Sequence, residues 1–217
     1  MEKLIEKLGL YEIVNYLFTG IIAYMSSLYI FKYFNIINLA KYNDYLCFLK
    51  NWYYIIVLYF IGLMLHEFSE LFTKYTFFKK GLISERYFEN DKHTKILELL
   101  QGKLQNTSLG KIDLQNKSQI QQVFSVIYSQ MQNTSSNEII QKMNRQFGSF
   151  RTFSTIFILE DLIVIILIIL SVIQRNFVYS YLLILVPIGI FSLLSIRRMY
   201  RFGNRFVDYC YRNYVKD

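Results

Sequence analysis

A chain of 217 residues with 53% apolar side chains and four long apolar stretches leaves one moderate soluble segment and short ends. Four spanning helices take roughly 80 residues at ~20 each, and the remainder is too little for a conventional enzymatic domain of ~100 residues or more. Twenty-four Lys and Arg against 16 Asp and Glu set the net charge at +8, which points to anionic partners such as lipid headgroups.

In chain order, Met1–Asn15 puts Leu4, Ile5, Leu8 and Tyr11 at helical spacing, predicting a short helix on the inner membrane surface or against the soluble part. Glu2, Glu6 and Glu12 stand beside Lys3 and Lys7, and no small-residue cleavage site follows, so the first apolar run reads as a retained anchor. The predicted spans are Ile13–Phe31, Trp52–Thr73, Phe153–Ile173 and Phe177–Ile196. Each must be a helix, because lipid offers no partner to an unpaired backbone group. Runs such as Leu162–Leu170 lack the alternation of a membrane β-strand. Thr19-Gly20 and Gly62 permit close helix approach in the first two spans. Trp52, Tyr53 and Tyr54 open the second span as an interfacial belt, and Tyr179 and Tyr181 do the same for the fourth.

Three predicted helices fill the middle: one around Ser84–Leu104, one over Ser118–Met131, and one from near Glu138 toward the third span. Gln105–Lys117 reads as a loop containing Gly110. Ser118 and Gln121 have capping-box spacing, and Ile120, Val123, Phe124, Ile127, Tyr128 and Met131 form one apolar face. The third helix presents Ile139, Ile140, Met143 and Phe147, with a local weakness expected at Gly148-Ser149. Such faces want to pack on one another or on neighbouring subunits. The expected fold is all-α and polytopic, divided at 1–73, 74–152 and 153–217.

Orientation follows from Lys and Arg. The loop Lys32–Asn51 holds three lysines and the turn Gln174–Phe177 only Arg175. Lys74–Phe150 holds eleven basic and six acidic residues, a net +5, and the tail adds Arg197, Arg198, Arg201, Arg205, Arg212 and Lys216. Both termini and the middle segment are therefore expected in the cytoplasm of a cell with this protein in its inner membrane. Cys47 then faces outward and Cys210 inward, which excludes a disulfide between them. The triplets at Asn106, Asn116 and Asn133 fall on the cytoplasmic side and are not read as glycan sites.

Acidic residues interrupt the third span. Beyond Glu160 and Asp161 only Leu162–Ile173 remains, about 18 Å of helix, against a hydrocarbon core of ~30 Å. In the second span Trp52–Leu65 runs about 21 Å before His66, Glu67 and Glu70. Counted from the outer interface the two groups reach similar depth, so two helices could bring a histidine and several carboxylates together. Each such group costs roughly 2.5–3.5 kcal/mol on insertion and faces protein or water. The alternatives are an ion or proton path with a charged gate, or a structural histidine–carboxylate pair. His66 and Glu70 share a helix face, yet His93 is the one other histidine, so no metal site is expected. No nucleophile or phosphate-loop motif is present, and neither enzymatic activity nor a cofactor is expected. Pro187 and Gly189 mid-way through the fourth span mark a hinge or a static kink. The tail from Arg197 to Phe202 interleaves cations and rings, a pattern that suits anionic lipid headgroups, or stacking and phosphate contacts with nucleotides or short single strands.

Four spans, a helical cytoplasmic middle, Tyr16-Leu17-Phe18-Thr19-Gly20 in the first span and Arg197–Arg201 after the fourth resemble the small membrane effectors of bacterial antiviral systems. The layout is similar to the channel component of the Hailong system, with the Kiwa membrane component as a second likeness. The resemblance implies a homo-oligomeric pore or sensor that passes ions under a soluble cytoplasmic regulator or a nucleotide oligomer. The expectation is a gated pore that depolarises the cell in antiphage defence. In that reading His66, Glu67, Glu70, Glu160 and Asp161 line or gate the path, Pro187 and Gly189 bend, and Arg197, Arg198, Arg201 and Arg205 bind ligand or lipid. The alternative is a non-conducting scaffold that docks a soluble partner through its cytoplasmic helices.

Overall fold

The computed structural model describes residues 10–36, 52–79, 81–89, 93–104, 113, 116–132, 134 and 137–216. Among them the regular elements are helices: α1 (Leu10–Tyr33), α2 (Trp52–Thr76), α3 (Ile83–Arg86, extended by a 3-10 turn over Tyr87–Glu89), α4 (Thr94–Leu104), α5 (Lys117–Met131), α6 (Asn137–Ile173) and α7 (Leu185–Lys216, preceded by a 3-10 segment over Tyr179–Ile184). Four stretches are long and apolar enough to cross a membrane: Ile13–Tyr33, Tyr53–Thr76, Asn137–Ile173 and Tyr179–Lys216. The all-α, four-span architecture expected from the sequence is the one present. Leu4, Ile5, Leu8, Cys47, Asn106 and Asn133 lie outside the described residues.

The chain divides into two compact units, one of Met1–Phe72 with Ser149–Ile196 and one of Thr73–Gly148 with Arg197–Asp217. In the first, α1 and α2 meet at glycines. A Cβ on Gly20 would fall 1.9 Å from the Leu58 carbonyl oxygen, and one on Gly62 would fall 1.8 Å from that of Tyr16. The two backbones therefore touch reciprocally, the use of small residues by which helices associate in lipid. Around this contact Thr19 and Leu58 are fully buried. Farther along, Ile30, Val164 and Ile184 form a second core with Leu167, Ile168 and Ile188 against it.

Four buried hydroxyls place their protons along their own helices. Thr19 donates to Asn15 O, Ser154 to Phe150 O, Thr155 to Arg151 O and Ser171 to Ile168 O. This back-bonding is how a hydroxyl is carried through an apolar segment without an unsatisfied donor. Both α1 and α6 end on a non-glycine residue with positive φ, Asn35 at 54° and Arg175 at 58°. That left-handed step turns the next amides back, Ile36 N–H onto Phe31 O and Asn176 N–H onto Ser171 O, so the last carbonyls are paired.

The second unit packs α4, α5, the start of α6 and the end of α7 about one core. Leu97, Leu100, Leu104, Ile120, Val123, Ile127, Met131 and Ile140 meet Phe206, Val207, Cys210 and Tyr211 there. The Ile120–Met131 face is thus spent inside the protein, which removes it as a docking surface for a partner. The tail likewise differs from the expected division at 153, because Arg197–Asp217 groups with the soluble helices rather than with the spans. Its physical reason is the period of Met199, Gly203, Phe206, Val207, Cys210 and Tyr211, which gives that part of α7 a buried stripe. The cap of α5 also shifts. Asn116, not Ser118, is the N-cap, its Oδ1 accepting Gln119 N–H at 3.2 Å. No break occurs at Gly148-Ser149, because α6 runs unbroken for 37 residues and Ser149 donates to Asn15 Oδ1 at 2.9 Å.

Candidate functional site

In the first unit α6 carries two polar levels. The lower-numbered level sits at Arg151 and Thr152. Thr152 Oγ1 lies 3.0 Å from His66 Nδ1 and 3.2 Å from Ser69 Oγ. Arg151 Nη2 donates to Glu70 Oε2 at 3.2 Å, with the arginine mostly buried and the glutamate mostly exposed. The edge of the Tyr16 ring meets His66 at 5.2 Å between centroids. A buried guanidinium and a histidine are here supplied with partners from the facing helix, as charged groups in a span require.

The second level lies at Glu160 and Asp161. Eight residues separate Thr152 from Glu160 on α6, about 12 Å of rise. The expectation that His66 would join Glu160 and Asp161 is therefore corrected: the structure groups His66 and Glu70 with Arg151 and Thr152 instead. Depth counted from one interface ignored the axial stagger that packing imposes.

Glu160 is 3% exposed, and Ser26 of α1 donates to its Oε1. Its Oε2 has no hydrogen-bond partner among the described residues. The same Ser26 Oγ also lies 2.6 Å from Ile22 O. Glu160 borders a cavity of about 210 Å³ with Ser26, Tyr29, Phe157, Pro187 and Phe191. Consecutive helix residues point about 100° apart, so Asp161 turns to another helix and accepts from Ser192 Oγ of α7 at 2.7 Å.

Glu67 makes no hydrogen bond to either level among the described residues, although its charge acts on His66 and Arg151. It is exposed on α2 along with Phe60, Met64 and Leu71, the i+3 and i+4 neighbours of an outward apolar stripe. Pro187 is not in a helix interior. It is the third residue of α7, next to the 3-10 segment, where a missing N–H breaks no bond of that helix. A Cβ on Gly189 would meet nothing within 4 Å, so close packing does not require glycine there.

The second unit holds a separate hollow of about 470 Å³. Arg86, Arg205 and Arg212 line it, with His93, Tyr200 and Asn204. Asp208 also borders it and is held from several sides. Arg212 Nε donates to both its oxygens at 2.8 Å, the Tyr87 hydroxyl donates to Oδ1, and His93 Nδ1 lies 4.0 Å away. Burial first, then the hydrogen bond and charge of Asp208, push the Tyr87 phenol above its ordinary range, so it remains a donor. Tyr87 stacks on His93 at 3.9 Å, which shapes the wall. Arg205 makes no hydrogen bond or ion pair among the described residues.

Of the four tail arginines singled out from sequence, Arg205 lines this hollow. Arg197, Arg198 and Arg201 are exposed and lie outside its wall. Sequence reasoning missed Arg86, His93 and Asp208 because they come from distant segments. The apolar period of α7 was the available signal, since it predicts a tail folded against the soluble helices. In the first unit the partners Ser26, Arg151, Thr152 and Ser192 were missed for the same reason. No family model, curated protein or solved structure matches this chain.

Proposed function

We propose that the protein is an oligomeric effector of the bacterial inner membrane, with both termini cytoplasmic, forming a gated pore that depolarises the cell. The observation that carries this reading is Glu160, a carboxyl group inside a span with one oxygen unpartnered among the described residues and a cavity beside it. An unpaired buried polar atom costs about 1–3 kcal/mol, and an ionisable group inside a span is by default a candidate for function. Glu67 adds support, because an exposed carboxylate on an apolar outward stripe is costly in lipid and tolerable against water or a neighbouring subunit. His66, Glu70 and Arg151 act here as a tether between α2 and α6 rather than as the path. The junction of the 3-10 segment with α7 at Pro187 is the compliant point, adjoining the same cavity as Glu160. The four-span layout and its likeness to antiviral membrane effectors make antiphage defence the setting, under a cytoplasmic regulator.

The test is ion flux into liposomes holding the purified full chain, beside Glu160→Gln/Asp161→Asn. Flux that the double variant alters supports a path through the acids. Equal flux in both proteins removes Glu160 and Asp161 from it. Absence of flux, together with an undisturbed membrane potential on expression in cells, rejects the pore.

A further inference from the structure

We infer that the hollow in the second unit is a binding site for a small phosphorylated ligand of about nucleotide size. Three arginines face one aspartate around it. The aspartate is committed to Arg212 and Tyr87. Glu89 answers Arg86 through a single contact at 3.1 Å, with both side chains about half exposed. Such surface pairs hold little energy and yield readily to a better acceptor. Arg205 is left without an acceptor among the described residues, its guanidinium fork matching two phosphoryl oxygens. Asn204 and Tyr200 add polar groups beside that charge. The volume of about 470 Å³ falls within the range of small-molecule sites and is too small to enclose a polymer.

The Arg86 side of the hollow is built on a constrained turn. Gly81 has φ +126°, a conformation other residues rarely adopt, and the Leu82 N–H after it is held by Glu85 Oε2 at 3.0 Å. Gly203 of α7 admits Ile83 beside it, since a Cβ there would stand 2.3 Å from Ile83 Cδ1. The segments that carry Arg86 and Arg205 are thereby packed on each other, and both arginines line the same hollow. Regulation of the pore by this ligand rests on the reading above; the binding itself does not.

The experiment is titration of the full chain in detergent micelles with inorganic phosphate, pyrophosphate and AMP, followed by isothermal calorimetry. A parallel arm uses nanodiscs with and without phosphatidic acid. Saturable one-to-one binding is expected, weakened tenfold or more in Arg205→Ala and unchanged in Arg197→Ala, with both variants melting like the parent. Arg205 is exposed, so its loss leaves the core of the unit intact. Binding confined to the phosphatidic acid arm and lost in Arg205→Ala would assign the same site to a lipid headgroup. No saturable binding in any arm, or equal weakening in Arg197→Ala, would overturn the site. Binding without liposome flux and with an undisturbed membrane potential on expression would reject the pore and keep the site; flux without binding would do the reverse.

Discussion

Gly62→Ala tests the helix contact on which the first unit depends. The new methyl would lie 1.8 Å from Tyr16 O, whereas the closest ordinary carbon–oxygen contacts are about 3.3 Å. Helices α1 and α2 must then part by about 1.5 Å, because the obstacle is backbone and has no rotamer to yield. A gap of that size forfeits more than half of each dispersion contact across it, since about 0.5–1 Å already costs a quarter to a half. For Leu58, fully buried, with about half of its ~50 contacts of ~0.15 kcal/mol crossing the seam, the loss is about 3 kcal/mol, and other contacts across the seam add to it. Repacking and lipid return some of this, so the expected cost is about 2–4 kcal/mol, at the upper end for overpacking. The assay is reversible unfolding in mixed micelles with rising dodecyl sulfate, read by helicity. Gly102→Ala is the internal control: exposed on α4 with nothing within 4 Å of the new Cβ, it should gain up to about 1 kcal/mol. A Gly62→Ala protein within ~0.5 kcal/mol of the parent would refute the close-contact argument.

Ser26→Ala removes the hydrogen bond to Glu160 and should destabilise the chain by about 1–3 kcal/mol, with Glu160→Gln giving back part of that in the double variant; additive losses in unfolding would count against the pairing. Tyr211→Phe deletes a buried hydroxyl without a hydrogen-bond partner among the described residues, so it should be neutral or stabilising by up to about 1 kcal/mol in thermal melts, and a marked loss would reveal a partner. The Tyr87 phenol is raised in the folded state by burial and by Asp208, so its share of stability is full below the unfolded value near 10 and declines as pH rises beyond it. Melting temperatures from pH 8 to 11 should fall above pH 10 in the parent and less in Tyr87→Phe, and parallel curves would contradict the assignment. Glu70→Gln leaves the mostly buried Arg151 guanidinium without its counter-charge and should lower stability in unfolding more than Arg151→Met, which leaves behind only a carboxylate that is 64% exposed.

Composition and periodicity alone determined that the protein is all-α with four spans. A span has only one backbone solution, and a run such as Leu162–Leu170 admits no other reading. The glycine contact between the first two spans was also legible, since Gly20 and Gly62 are small residues in segments where packing replaces the hydrophobic drive. So was the depth anomaly at Glu160 and Asp161, a matter of counting residues against bilayer thickness. What tertiary structure decided is which side chains meet. Helix stagger sent His66 to Thr152 and Glu160 to Ser26, eight residues of α6 apart. The 3-10 segment moved Pro187 from a presumed kink to the first turn of α7. The basic tail became a core helix through Phe206, Val207, Cys210 and Tyr211, and its Arg205 came to share a hollow with Arg86, 119 positions earlier. Local pattern encodes whether a residue sits in lipid, in a core or in water, because those choices repeat every few residues. Axial register and long-range partners depend on the fit of whole helices, which no short window of sequence contains.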